Sequence, residues 1–299
     1  MQERSGSQAP ALAGIIIDVP SGAFDATVAF WAGALSAPPE ALSGMPGGDA
    51  YVRLPGATAV TDVVLQRIDD TDRPRFHLDI AVLDRADAVQ RAADLGGKVV
   101  QHEEDWDVLI DPAGLPLCVG FEDLEPLQTA PRPPDRGYLD AIFIDVPPDR
   151  VTAEVVFWSA VLDATPVPPD ASDPAYHPLA GVRAVGGEPV VVEVQTTLPD
   201  PARDGVATAP RIHVDLSATD VDEEVARLTA LGARHVDAVV APGAGRVESA
   251  PGAGRVESAP GAGRVESAPG AGRVERDWVT LADPAGNLFC VVPATPERA

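Results

Sequence analysis

The sequence predicts an α+β fold built twice, and three observations carry that expectation. The chain repeats itself: IIIDVPSGAFDATVAFW, RFHLDI, LGG, DW, DPAG and LCV in the first half return as FIDVPPDRVTAEVVFW, RIHVDL, LGA, DW, DPAG and FCV in the second. Each copy alternates short apolar strands with two amphipathic helical stretches, the pattern of sheets covered by helices. A Pro-rich polar stretch, EPLQTAPRPPDRG at 125–137, separates the copies and reads as a linker.

The elements follow in the same order in both halves. An apolar strand, 12–18 or 139–145, ends at a proline. A helix follows, with a stripe of Phe24, Val28, Trp31 and Leu35 in one copy and Val151, Val155, Trp158 and Leu162 in the other. That spacing lines one helical face. Strands are expected at 59–68 and 189–197, then at the Arg-x-His-x-Asp segments. A second helix ends at Leu95-Gly96 or Leu231-Gly232, where glycine suits a left-handed C-cap. Three short strands close each half, with Asp-Pro-Ala-Gly (111–114 and 283–286) as the turn before the last. The units are therefore a tail (1–11), a first domain (12–124), the linker (125–137) and a second domain (138–295).

One segment breaks the symmetry. Residues 241–276 are four copies of APGAGRVES, the last ending in Arg. Gly232 to Trp278 is a step of 46 residues against 10 from Gly96 to Trp106, and the excess of 36 is four units of nine. The repeat is thus an insertion in a hairpin-like connection, and its Pro, Gly and Ala content favours an exposed loop over a small β-stack. Deleting 241–276 is expected to leave the melting temperature nearly unchanged. A large drop in a thermal melt would show that the repeat packs on the fold.

Composition excludes some partners. Acidic residues number 46 against 22 basic ones, a net charge of −24, which repels nucleic acid and anionic membranes and would draw in a cationic ligand. No apolar run is long enough to span a bilayer, and the first residues lack the basic start and apolar stretch of a signal peptide, so a cytoplasmic protein is expected. Cys118 and Cys290 occupy equivalent places and do not make a disulfide framework; both read as packed small hydrophobes. The oligomeric expectation is a two-domain monomer or a homodimer.

Strand alternation puts Arg75, His77 and Asp79 on one face and Phe76, Leu78 and Ile80 on the other, and the same holds for Arg211, His213 and Asp215. Gln66 and Gln195 precede them in matching positions. Read functionally, this is a polar floor in which Arg holds an anionic group, Gln hydrogen-bonds and His moves a proton or binds metal. Read structurally, it is an ion-pair network that locks neighbouring strands. Trp106 and Trp278 are candidates for a cavity mouth, with rim or core packing the plainer reading. Asp18 and Asp145, in Asp-Val-Pro, read more simply as turn or helix-start residues than as metal ligands. His102, His177 and His235 have no counterpart in the other half and read as surface residues.

The FW pair, HLDI/HVDL, LG and DPAGN-x-F-C in this order resemble the vicinal oxygen chelate superfamily of glyoxalase I, bleomycin-resistance proteins and extradiol dioxygenases, and within it the actinobacterial glyoxalase-like domain. The resemblance implies two tandem glyoxalase-like domains, each of two βαβββ units forming a curved, mostly antiparallel sheet around a cavity with helices outside. It also implies where a metal would sit. The first ligand position falls near Ile16 and Phe143, or at Asp18 and Asp145; the second on His77 and His213; the third on Cys118 and Cys290, where the family's glutamate is missing. The first expectation is accordingly a protein that binds a small organic molecule without a catalytic metal or other cofactor, drug or metabolite sequestration being one form. The alternatives are a metal-dependent lyase, isomerase or dioxygenase acting on vicinal oxygens, with Asp18, His77 and Cys118 or Asp145, His213 and Cys290 as ligands, and a non-catalytic assembly module.

Overall fold

The computed structural model describes residues 10–42, 48–56, 58, 61–120, 137–197, 209–236 and 278–294. The N-terminal tail to residue 9, most of the linker and the repeat at 241–276 lie outside the described residues.

The first half opens with β1 (Ala11–Pro20), buried along nearly its whole length because both of its faces are covered. Helix α1 (Phe24–Leu35), β2 (Glu40–Ala41), β3 (Tyr51–Leu54) and β4 (Asp62–Ile68) complete one βαβββ unit. The second unit is β5 (Arg75–Ala81), α2 (Arg85–Asp94), β6 (Lys98–His102), β7 (Trp106–Ile110) and β8 (Pro116–Gly120). The second half repeats the order: β9 (Tyr138–Val146), α3 (Val151–Val161), β10 (Thr165–Pro166), β11 (Tyr176–Ala180) and β12 (Val191–Thr196), then β13 (Arg211–Ala218), α4 (Val221–Leu231), β14 (Arg234–His235), β15 (Val279–Ala282) and β16 (Leu288–Pro293).

Each half forms its own eight-stranded sheet, in the order β2-β3-β4-β1-β5-β8-β7-β6 and β10-β11-β12-β9-β13-β16-β15-β14. The pairs β1–β4 and β5–β8 are parallel, as are β9–β12 and β13–β16; the other neighbours run antiparallel. The α+β paired-βαβββ architecture is thus present in both halves. Among the described residues no helix is long and apolar enough to cross a membrane.

The helices start and stop where the side chains dictate. Asp84 and Asp220 cap α2 and α4 by accepting from the amides of Asp87 and Glu223. Gly232 ends α4 at φ 117°, a left-handed conformation that a residue with a Cβ enters only with strain. The stripe expected on α1 is buried at Phe24, Trp31 and Leu35, but Thr27, Phe30 and Ala34 are buried as well. On α3, Glu154 and Phe157 join Trp158. Each of these helices is covered on more than one side, because the second half packs on the first.

That packing makes one core out of two. Trp31 lies 6.0 Å from Phe76 of its own sheet and 5.2 Å from Phe289 of the other, ring centre to ring centre. Its indole Nε1 donates to Asp283 Oδ2 at 3.0 Å. Reciprocally, Trp158 Nε1 donates to Asp111 Oδ2 at 3.1 Å. Asp111 and Asp283 are the aspartates of the two Asp-Pro-Ala-Gly turns. One carboxylate oxygen of each closes its own turn, accepting from the Leu115 amide or from those of Gly286 and Asn287, while the other receives the tryptophan of the opposite half. Arg227 of α4 adds two bonds to the Gly33 and Ala34 carbonyls at the end of α1. The FW and DPAG motifs therefore recur because they build a two-way seam.

Candidate metal centres

The apolar sides of the central strands face this helix layer, so the alternate residues line the opposite, polar side of each sheet. On the first sheet, register sets Asp18 against Arg75 and Gln66, and Ile16 against His77. Asp18 is buried and accepts from Arg75 Nε at 2.7 Å. His77 sits between two carboxylates, with Nδ1 3.3 Å from Asp18 Oδ1 and Nε2 3.5 Å from Asp79 Oδ1. Cys118 Sγ lies 3.8 Å from the same Nε2, brought there by the β5–β8 pairing. Gln66 Nε2 donates to the Tyr51 hydroxyl at 3.2 Å.

The second sheet repeats the arrangement. Arg211 Nε is 2.7 Å and His213 Nδ1 2.9 Å from Asp145 Oδ2, and His213 Nε2 is 3.6 Å from Asp215 Oδ1. Gln195 donates to the Tyr176 hydroxyl at 3.2 Å. In each half, one ligand atom each from His, Asp and Cys lies within 4.8 Å of the other two: His77, Asp79 and Cys118, and His213, Asp215 and Cys290. Both histidines are buried, and both cysteines are free. Two buried triads capable of coordinating a divalent metal are therefore present.

Electrostatics at the triads follow from that crowding. Burial by itself would lower the His77 pKa, but the Asp18 charge and the bonds to Asp18, Asp79 and Cys118 outweigh it and hold the imidazole protonated well above its ordinary range. His213 is held up in the same way by Asp145 and Cys290 against its own burial. Burial, then the neighbouring Asp79 charge, pushes the Cys118 thiol up to about 11.

The sequence candidates fall on this surface as follows. Gln66, Arg75, His77 and their partners Gln195, Arg211 and His213 meet around the triads. Trp106 and Trp278 share the polar side of their sheets with Val108 and Thr280 and are partly buried. Asp18 and Asp145 differ from the simpler reading. They are not turn or helix caps; α1 and α3 have no side-chain N-cap, and these aspartates instead orient the histidines through Nδ1. The acidic member of each group that could hold an ion is also a different residue from the one considered in the sequence. Asp79 and Asp215, two residues beyond the histidines on the same strands, lie within reach of His and Cys because strand alternation returns every second side chain to the histidine's side. Sequence proximity also hid the base beside each cysteine, which arrives from the neighbouring strand. Tyr51 and Tyr176 were missed, although Tyr-x-x-Leu-x-Gly stands in both halves at 51–56 and 176–181. His102 and His235 are exposed as expected.

Paired βαβββ sheets with polar inner faces define a small-molecule-binding fold of the vicinal oxygen chelate class. The glyoxalase-like domain model matches residues 14–120 and 141–292, and the chain belongs to that family. No curated protein matches the chain. Among solved structures, it is similar to the Mn(II)-bound glyoxalase from Novosphingobium aromaticivorans at 17% identity, with a TM-score of 0.55 and coverage of 96% of this chain and 83% of that one. It is also similar to a 4-hydroxymandelate synthase mutant from Streptomyces coelicolor at 13% identity, with a TM-score of 0.52 and coverage of 96% and 94%. It spans 42% of a xylose isomerase-like TIM barrel/4-hydroxyphenylpyruvate dioxygenase fusion protein, with 79% of this chain covered at 16% identity and a TM-score of 0.48. At these identities the likeness is one of fold.

Proposed function

We propose that the protein is a metal-dependent enzyme of lyase or isomerase type, acting on a small organic molecule with neighbouring oxygens. The observation that carries this reading is the pair of equivalent His/Asp/Cys triads. The donor chemistry fits a borderline-soft divalent ion such as zinc: one imidazole nitrogen, one carboxylate oxygen and one sulfur, three donors where a tetrahedral ion takes four. Asp79 Oδ1 is buried and stands 3.5 Å from His77 Nε2, a long contact that a cation between the two would replace. Asp18, itself held by Arg75, takes the histidine's other nitrogen, the usual outer support of a metal-bound imidazole. The thiolate makes the set unlike the two-His, one-carboxylate arrangement of non-haem iron oxygenases, which places lyase or isomerase chemistry ahead of dioxygenation. A bound ion would polarise the substrate oxygens as a Lewis acid. The chain's own residues do the rest. Arg75 and Arg211 keep nitrogens beyond those on aspartate to orient an anionic group. The Tyr51 and Tyr176 hydroxyls, set by Gln66 and Gln195, offer hydrogen bonds to the substrate.

This reading supersedes metal-free sequestration, which keeps one supporting observation: each imidazole already closes an ion-pair chain between two carboxylates. The two readings part on metal content. Loading requires His Nε2 and Cys Sγ to give up protons, so uptake strengthens as pH rises. Protein purified without chelator and reconstituted with zinc is expected to hold two ions per chain, one per triad, falling to one in Cys118→Ser or Cys290→Ser. Elemental analysis that finds the reconstituted, desalted protein metal-free would restore the sequestration reading.

A further inference from the structure

The cysteine of each triad stands on a strand that begins at an Asp-Pro-Ala-Gly turn. Cys118 lies on β8, seven residues after Asp111, and Cys290 on β16, seven after Asp283. One carboxylate oxygen of each aspartate holds the turn. Asp111 Oδ1 accepts from the Leu115 amide at 2.7 Å, and the Leu115 carbonyl accepts from the Asp111 amide at 2.8 Å. Asp283 Oδ1 accepts from the Gly286 and Asn287 amides at 2.8 and 2.9 Å, and the Asn287 carbonyl accepts from the Asp283 amide at 2.9 Å. The turn thus sets where the strand starts, and with it the level at which Cys118 meets Asp79, or Cys290 meets Asp215, across the parallel ladder. The other oxygen is held from across the seam, by Trp158 Nε1 on Asp111 at 3.1 Å and by Trp31 Nε1 on Asp283 at 3.0 Å. Both indoles are fully buried, so these bonds are shielded from solvent. Trp31 also lies 5.2 Å, ring centre to ring centre, from Phe289, the residue before Cys290, on the opposite side of the same strand.

We propose that the helix tryptophan of each half positions the cysteine ligand of the other: Trp158 sets Cys118 in the first centre, and Trp31 sets Cys290 in the second. The inference rests on the metal reading above and adds two positioning residues, neither of which touches a ligand atom of its centre. The physical reason is the division of each triad between strands. His77 and Asp79 share β5, and His213 and Asp215 share β13, so those two donors move together. The sulfur is the donor that arrives on a separate strand, and a metal tolerates errors of only about 0.2 Å in its ligand distances. A turn released at its seam end is therefore felt at the sulfur first. Neither half holds its own cysteine turn closed at both oxygens; each relies on the other.

Cobalt(II) titrations read by thiolate charge-transfer absorption test this in single-centre proteins, Cys290→Ser keeping the first centre and Cys118→Ser the second. Trp158→Phe should weaken cobalt about tenfold at the first centre and leave the second within about twofold. Trp31→Phe should do the reverse. Phenylalanine keeps a ring in the seam and removes the N–H donor, while the other centre reports any general loss of stability. Asp283→Asn keeps an oxygen for the turn but presents an amide that cannot accept from the indole. It should weaken the second centre as Trp31→Phe does, and the double variant should weaken it no further. This milder change decides the matter if the tryptophan variants fail to fold. Equal weakening of both centres, weakening confined to the tryptophan's own half, or no change at either would overturn the crossed positioning and leave the metal reading intact. Absence of any thiolate band in the unmodified protein would remove the metal reading and this inference with it.

Discussion

Glu154→Gln is expected to stabilise the protein at about pH 8 by about 3 kcal/mol, and to do little at about pH 4. Glu154 is buried in the seam, where Trp158 Nε1 bonds to its Oε2 at 3.1 Å and also reaches Asp111. Burial, and then the Asp111 charge, lifts its carboxyl from an ordinary 4.5 to about 9. Burial lifts Asp111 as well. The folded protein therefore keeps a proton that the unfolded chain releases. Because the folded pKa is the higher one, stability falls as pH rises from about 4.5 towards 9, by about 1.4 kcal/mol per pH unit at most. Glutamine mimics the protonated acid at every pH, so it escapes that loss, less a share for the poorer fit of an amide. His77 and His213 act in the same direction. Their folded pKa values are raised, so the stability they contribute is complete below the ordinary 6.5 and is lost as pH climbs through the raised values. Urea midpoints of the two proteins across this range give the check. A gain for Glu154→Gln that does not grow with pH would show that the carboxyl pair does not share a proton. The equivalent residue on α1 is Thr27, whose hydroxyl bonds back to the Ala23 carbonyl at 2.9 Å, so the switch exists on one side of the seam only.

Trp31→Ala is expected to cost about 4 kcal/mol and to lower the stability of both halves together. Its ring is fully buried between Phe76 of one sheet and Phe289 of the other, and its nitrogen is the partner of Asp283. Truncation leaves a cavity at the seam and removes a donor from a buried carboxylate. Since the core runs through both halves, the unmodified protein should melt in a single calorimetric transition, and the variant in a single transition at lower temperature. Two separate transitions, or loss confined to one half, would mean that the halves are stable apart.

The duplication, the strand and helix order, the glycine-capped helices and the polar Arg-His-Asp face were all legible in the sequence. Each depends on local spacing: periods of two and of three to four residues, and turn chemistry within a few positions. What required the tertiary structure is of another kind. Asp18 reads locally as a turn residue and becomes the support of His77 only when β1 and β5 pair. Cys118 has no basic neighbour in sequence and gains one across the β5–β8 ladder. The helix tryptophans read as core and the Asp-Pro-Ala-Gly segments as turns, but that each tryptophan bonds to the other half's turn is visible only once the halves dock. The sequence by itself determined the elements and the faces they present, since those are set by neighbours along the chain. Only the tertiary structure decided which faces meet, because pairing brings together residues whose separation along the chain carries no periodic signal.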